Sequence, residues 1–467
     1  MMLTQRTFLI FFVWIVLAAS YNFSLPLHPD EAYYWQWSRH LALSYYDGPP
    51  LMAYLIRIIT MLVGSTAFGV KLTAVILTSI GVYFIYRLSC IIFNERIAHV
   101  ALLITITSPL IQANYLASTL DPALFCFWSM TLYYFYIAIL KNSIKYRYVT
   151  SISFGLTMLA KYPGVLLGVA LFMYLLISKQ YRKELKNIHW YLGIIIALLI
   201  FSPVLIWNWQ HDFVGFIYQY NHGIAKEKIF QWELMMLFIV GQVGAANPLC
   251  FIGTFYFCLR YWKEIYQNEK LLFLATPFLV TFSFFFYEGL FKHSEVNWPA
   301  CAYISSSILL AYYIVQHKKK ILYGLILILN IVLAIVLRFP NLTPFLPNQA
   351  ILIRPFFGYH ELMEQANAAY HPGDIIISNS YQIASEAAFY LKGQPQSYIL
   401  NDTREYQYWS QPIIQQIKEG KIKSALFIGP ADTIDQVPLF THKVLIKQLQ
   451  YSNSWVQRTL SLYRVYL

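Results

Sequence analysis

The chain has 467 residues, of which 58% are hydrophobic and only 12% charged, against about 25% charged in an ordinary soluble protein. That excludes a conventional soluble enzyme and points to the bilayer as solvent. The net charge of +12 does not indicate nucleic acid, because the excess Lys and Arg sit in short loops between apolar runs, as membrane orientation requires.

Apolar runs able to cross, or nearly cross, a hydrocarbon core about 30 Å thick lie at 7–23, 66–93, 97–116, 121–140, 148–160, 163–178, 190–206, 234–259, 271–287, 298–316 and 321–338. Eleven transmembrane helices are therefore expected. Lys161-Tyr162-Pro163 divides the stretch 148–178 into two helices meeting at a turn, since Pro stops a helix and a mid-membrane charge is costly. The first run is read as an uncleaved anchor rather than a signal peptide ending near Leu17-Ala18-Ala19-Ser20, because it exceeds a usual apolar region of that kind.

One set of loops carries Arg87 and Arg96, then Lys141, Lys145 and Arg147, then Lys179, Arg182, Lys183 and Lys186, then Arg260, Lys263 and Lys270, and finally Lys318, Lys319 and Lys320. The positive-inside rule makes these cytoplasmic. The alternate loops, 24–65, 114–120, 161–162, 207–233 and 288–297, hold Asp, Glu, His, Trp and Tyr, and belong outside. The five Cys all lie within apolar runs and read as packing. From 339 to 467 the composition is mixed and predicts a small α/β domain outside the cytoplasm. Its strand candidates are Asp374 to Ser378, Ser424 to Gly429 and two more after Lys443, with a helix from Ile383 to Leu391. The predicted division is thus a membrane domain over 1–338, with a functional outer loop at 24–65, followed by the outer domain.

Polar residues on such a chain are informative because most positions forbid them. The first outer loop runs His28-Pro29-Asp30-Glu31-Ala32-Tyr33-Tyr34-Trp35-Gln36-Trp37 and continues to Tyr46-Asp47-Gly48-Pro49-Pro50. Pro29 ahead of two acids starts a helix whose aromatic face suits the membrane interface, and Trp35, Trp37 and Tyr46 read as anchors there or as sugar-stacking rings. One acid at a helix start complements the dipole, but two adjacent acids beside a further acid-containing turn ask for a function. Asp121, between Thr119 and Pro122, fits either an N-cap or a site acid. Lys161 with Tyr162 fits either a snorkelling anchor or a phosphate-binding cation. His293 and Glu295 have the spacing of a metal pair but no third ligand nearby, so a divalent metal stays open and no cofactor is certain.

In order, Asp30-Glu31 with its aromatics, Tyr45-Tyr46-Asp47-Gly48-Pro49-Pro50, Thr119-Leu120-Asp121-Pro122, Ala160-Lys161-Tyr162, Trp207-Asn208-Trp209-Gln210-His211 and Glu295-Val296-Asn297-Trp298-Pro299 resemble the bacterial aminoarabinose transferase and protein O-mannosyltransferase group of C-type glycosyltransferases. The resemblance extends from about residue 5 to 340 and recurs in the tail at Tyr381-Gln382-Ile383-Ala384 and Phe389-Tyr390. It implies a polytopic inner-membrane enzyme, N-terminus cytoplasmic and tail periplasmic, that takes a sugar from undecaprenyl phosphate. The acceptor it implies is lipid A, lipopolysaccharide core or protein; membrane lipids are the other partners, and nucleic acid is not one. Asp30 then matches the first-loop catalytic acid, Glu31 its support and Asp121 a second site acid. Lys161 and Tyr162 match positions near the carrier phosphate, and Asp47, Tyr46, Arg57, His293 and Glu295 complete the expected substrate site. Relatives usually have Lys or His where this chain has Gly48, so Lys161, Arg57 or Arg39 is expected to substitute. A lipid-linked-sugar transporter is the rival reading, disfavoured because no internal repeat is evident.

Overall fold

The computed structural model describes residues 5–221, 230–342, 353–401 and 404–467, so the part of the predicted 207–233 loop at 222–229 lies outside the described residues. All eleven apolar runs are helical. Length and composition qualify four as membrane-crossing, Ala67–Ile92, Leu120–Leu140, Ile188–Gln210 and Glu269–Gly289, and up to six if two bent pairs each count as one span. The remaining helices are short. Val165–Ile177, with 13 residues, is about 20 Å long, less than the hydrocarbon core.

Two runs expected as single spans are broken. Glu95–Thr107 and Pro109–Leu116 meet at 59°, and Trp232–Ala246 and Pro248–Arg260 at 108°. Each break falls where a polar residue precedes Pro, at Ser108-Pro109 and Asn247-Pro248, where the ring removes a helical N–H donor. Asn247 has φ +72°, a left-handed backbone that Asn tolerates better than most residues. Its side chain donates to Asn330 Oδ1 at 2.8 Å, and Asn330 donates to Thr107 Oγ1 at 2.9 Å. One chain of side-chain hydrogen bonds thus ties the second bend to the residue beside the first, and a lipid surround favours such internal pairing. The predicted break at Lys161 is present: one helix ends at Ala160 and the next begins at Val165 after a tight turn.

Small residues set the helix crossings. A Cβ on Gly155 would come within 3.1 Å of the Ala197 backbone, and Gly193 lies directly against Ser151 Oγ. Helices 144–160 and 188–210 therefore approach backbone to backbone, which is how helices gain contact when lipid removes the hydrophobic drive. Arg147, expected as a loop cation, is instead 1% exposed and donates to Glu184 at 2.7 Å. Glu184, the acid of the next cationic loop, draws it inward.

The chain forms two compact units: Met1–Asn22, Gly48–Met52 and Leu72–Ile335 in one, and Phe23–Asp47, Ala53–Lys71 and Val336–Leu467 in the other. The first polar loop is therefore built together with the tail. The tail carries a five-stranded mixed sheet of β1 (Ile376–Ser378), β2 (Ser397–Ile399), β3 (Ser424–Gly429), β4 (His442–Ser452) and β5 (Gln457–Tyr466), in the order β2-β1-β3-β5-β4. β1 runs parallel to β2 and β3, while β5 is antiparallel to both β3 and β4. Alternation in β3 sends Leu426 and Ile428 to one core, with Leu362, Met363 and Leu460, and Ala425 and Phe427 to another, with Ile417 and Val465. Helices Tyr381–Tyr390 and Tyr406–Lys418 connect the parallel strands.

Helix Pro29–Arg39 packs on helix Tyr381–Tyr390. Its aromatic face was expected at the membrane interface. Instead Tyr33, Trp35 and Trp37 are 1%, 2% and 0% exposed, with Trp35 edge-on to Phe389 and Trp37 stacked on Tyr45. The two indoles are neither anchors nor sugar platforms; an aromatic stripe suits a protein core as well as a lipid surface. Tyr46 is half-buried.

Candidate active site

The first polar cluster lies wholly in the unit that joins the first loop to the tail. Helix Pro29–Arg39 opens with a capping box: the His28 backbone N–H donates to Glu31 Oε2 at 2.9 Å, and the Asp30 N–H donates to His28 Nδ1 at 3.1 Å. Nδ1 of His28 also lies 3.8 Å from Asp30 Oδ2. Glu31 also receives Lys71 Nζ at 2.9 Å, with both side chains fully buried. Lys71 was missed, although a lone Lys inside a long apolar helix is itself a signal that a partner is waiting. Glu31 is thereby committed to holding the helix start.

Asp30 is different. Its side chain is 33% exposed, and its Oδ1 accepts from the Tyr381 hydroxyl at 3.1 Å. Asp47 is 8% exposed and meets Arg404 Nη1 at 3.2 Å. Burial pushes the Asp47 carboxyl above its ordinary range, opposed by Arg404 and by Tyr33. Next to Arg404, the Glu405 carboxyl accepts the Tyr46 N–H at 2.7 Å, and its own N–H donates to the Tyr33 hydroxyl at 3.3 Å. Burial raises Glu405 to about 8, with Asp47 adding repulsion. Glu386 is fully buried with neither oxygen hydrogen-bonded, and burial raises its pKa well above the usual range. Burial thus shifts both glutamates towards the neutral acid. Glu386, Arg404 and Glu405 escaped sequence reading, and Tyr381, noted only within the tail motif, was not assigned to the site, because about 350 residues separate this part of the tail from Asp30 and Asp47.

The second cluster is in the other unit. Lys161 Nζ donates to Asp121 Oδ1 at 2.7 Å, with exposures of 18% and 17%. Asn297 Nδ2 donates to Asp121 Oδ2 at 2.9 Å. Two predicted residues are brought together here, and the third member comes from the predicted motif but from a residue not singled out. His293 and Glu295 are 3.5 Å apart and more than half exposed, with Asn297 in place of them on Asp121. Among the described residues no group of three His, Cys, Asp or Glu is placed to hold a metal ion. Tyr162 packs its ring 5.6 Å from Phe216. At Gly48, a Cβ would lie 3.2 Å from Leu120 Cδ1, so a long basic side chain would need Leu120 to give way. Arg57 is exposed on helix Leu51–Val63, while Arg39 donates to Gln36 and Pro395 and lies over the Trp35 ring.

Residues 47–207 match the family model described as dolichyl-phosphate-mannose-protein mannosyltransferase. Lipid A galacturonosyltransferase RgtD of Rhizobium johnstonii is 24% identical over 392 residues, covering 82% of this chain and 81% of that protein. An undecaprenyl phosphate-α-4-amino-4-deoxy-L-arabinose arabinosyl transferase of Proteus mirabilis is 23% identical, covering 68% of this chain and 61% of that one. In fold, the chain is similar to the crystal structure of ArnT from Cupriavidus metallidurans bound to undecaprenyl phosphate, with a TM-score of 0.70, 14% identity and 98% of each chain covered. The resemblance read from the motifs therefore recurs in sequence and in fold: the chain is similar to a mannosyltransferase family model over 47–207, to a lipid A galacturonosyltransferase along most of its length, and to ArnT in its multi-pass membrane fold.

Proposed function

We propose that the protein transfers a sugar from an undecaprenyl-phosphate carrier to lipid A or the lipopolysaccharide core on the periplasmic face of the inner membrane. The observation that carries this reading is the match to a lipid A glycosyltransferase along four-fifths of both chains, joined to an accessible carboxylate, Asp30, inside a dry polar frame. In this reading the chain crosses the membrane eleven times from a cytoplasmic N-terminus, residues 1–338 form the transferase domain, and 339–467 lie in the periplasm.

The chemistry is an inverting displacement. An acceptor oxygen bonds to the anomeric carbon as the bond from that carbon to the carrier phosphate breaks, and undecaprenyl phosphate leaves. For a hydroxyl acceptor, Asp30 takes the proton as general base. For a phosphate acceptor, already ionised, Asp30 orients rather than deprotonates. Glu31, through Lys71 and the capping box, fixes the backbone that presents Asp30. Asp121, held by Lys161 and Asn297, acts as a second polar anchor for substrate, with Tyr162 beside it. Asp47 sets the position of Arg404, and Tyr46 and Arg57 flank the first cluster in sequence; His293 and Glu295 contribute at most a surface contact.

The test is transfer by purified protein in detergent, with undecaprenyl-phosphate sugars of the uronic acid, aminopentose and hexose classes offered against lipid A. Labelled lipid A that disappears in D30N supports the reading, and labelling that persists in D30N sinks the base assignment. The family model is named for protein mannosylation, which keeps protein O-glycosylation as the second reading. Mass spectrometry of lipid A and core from a deletion strain separates them: an unchanged envelope glycan with lost protein glycosylation favours the second.

A further inference from the structure

We propose that Arg404, contributed by the tail, is the cation that receives the phosphate of the sugar carrier, and that Tyr381 couples its position to that of Asp30. The proposal rests on the transferase reading above and adds to it the residue that meets the leaving group.

Three side chains form one chain of contacts. The Arg404 guanidinium carbon lies 4.2 Å over the Tyr381 ring, the Tyr381 hydroxyl donates to Asp30 at 3.1 Å, and Arg404 Nη1 meets Asp47 at 3.2 Å. Asp30 and Arg404 thus share one rigid aromatic side chain, the carboxylate at its hydroxyl and the guanidinium on its face. Tyr34 lies within electrostatic reach of Asp30, Asp47, Tyr381 and Arg404. Stacking a guanidinium on a tyrosine ring and tying one nitrogen to a buried carboxylate removes much of the rotamer freedom that an exposed Arg keeps, so less is lost on binding an anion.

Accessibility selects Arg404 over its neighbours. Its side chain is 35% exposed, close to the 33% of Asp30. Lys71 is fully buried against Glu31. Arg458 donates to the Phe357 carbonyl at 2.8 Å and the Tyr359 hydroxyl at 3.0 Å, which fixes it inside the tail. The backbone around Arg404 is built to hold it. Arg404 has φ +50°, a left-handed conformation uncommon outside Gly and Asn, and Glu405 beside it is pinned by the Tyr46 N–H and the Tyr33 hydroxyl. A left-handed residue next to a pinned neighbour is what a preorganised contact requires.

The reaction asks for such a group. As the anomeric carbon–oxygen bond breaks, negative charge gathers on the phosphate, and a guanidinium fork matches phosphate oxygens in shape as well as charge. The same chemistry would recognise a phosphate of the acceptor, so the experiment separates the two sources.

Affinity for undecaprenyl phosphate is measured on full-length protein in detergent by tryptophan fluorescence, with donor and acceptor KM determined separately in the transfer assay. R404Q is expected to weaken undecaprenyl phosphate binding and raise donor KM about 10- to 100-fold, the range for losing hydrogen bonds to a charged group, with acceptor KM unchanged. R404K is expected to recover the charge but only part of the affinity, because it lacks the fork. Y381F keeps the stacking ring and loses the hydroxyl, so it is expected to keep carrier affinity while lowering kcat and moving its pH profile. Wild-type carrier affinity in an R404Q protein of unchanged thermal stability overturns the proposal, and a rise confined to acceptor KM overturns the carrier assignment. If wild-type protein binds undecaprenyl phosphate through Arg404 yet transfers no sugar from it, the transferase reading fails and the binding site stands.

Discussion

The two polar clusters use similar groups and differ in where their partners come from and how wet they are. In the tail-containing unit, Glu31 meets Lys71 with both side chains fully buried, and partners for Asp30 and Asp47 arrive from Tyr381 and Arg404. In the other unit, Asp121 and Lys161 at helix ends meet Asn297 from a turn, with nearly a fifth of the Asp and Lys side chains exposed. A fully desolvated pair is a structural clamp, since its charges are spent on each other. Asp30 stands out because it sits beside such a clamp yet remains a third exposed. The dry pair builds the frame, and the accessible carboxylate is left to act.

The largest expected effect tests that division. D30N is expected to lower kcat about 10²- to 10⁴-fold for a hydroxyl acceptor, the usual scale of general base catalysis, with unchanged thermal unfolding; a melting shift without a rate loss would move Asp30 into the frame. K71M should do the reverse, leaving the buried Glu31 without its ion-pair partner at a cost of about 3–5 kcal/mol in stability. Pairing it with E31Q should restore much of that loss, as read by thermal unfolding in detergent.

Glu405 gives a pH signature confined to the tail-containing unit. Its folded pKa of about 8 exceeds the ordinary 4.5, so between those values the folded state binds more protons than the unfolded one. Its contribution to stability is therefore complete below about 4.5 and lost as pH rises through 8. E405Q should flatten the fall of thermal stability across that window, and an identical pH profile in the mutant would mean the carboxyl is ionised when folded. In the other cluster N297A removes one bond to Asp121, worth about 1.5–3 kcal/mol for a charged acceptor and discounted by the partial exposure of Asp121. A rate loss of roughly tenfold or less is expected. The smallest effect is reserved for H293A and E295A: surface residues off the Asp121 cluster should change transfer by less than about twofold, and metal-dependent loss in either would reopen a metal site.

How much of this was legible in the sequence follows from range. The helical runs, the turn at Lys161, the capping start at Pro29 and the strand at Ser424 to Gly429 are local patterns of periodicity and helix-stop chemistry, and they appear where expected. The breaks at Ser108-Pro109 and Asn247-Pro248 were equally local and were overlooked because apolar composition runs straight through them. Asp121 and Lys161 were each singled out, but their pairing was not, since 40 residues and a helix hairpin lie between them. Asn297 was hidden two residues from the charged pair that drew notice.

The sequence alone determined that the chain lives in a membrane and which few positions tolerate charge, because hydropathy and helix punctuation are properties of short windows. Only the tertiary structure decided which acid is clamped and which is presented. That depends on desolvation and on partners such as Lys71, Tyr381 and Arg404. Those quantities exist only once distant segments have packed together.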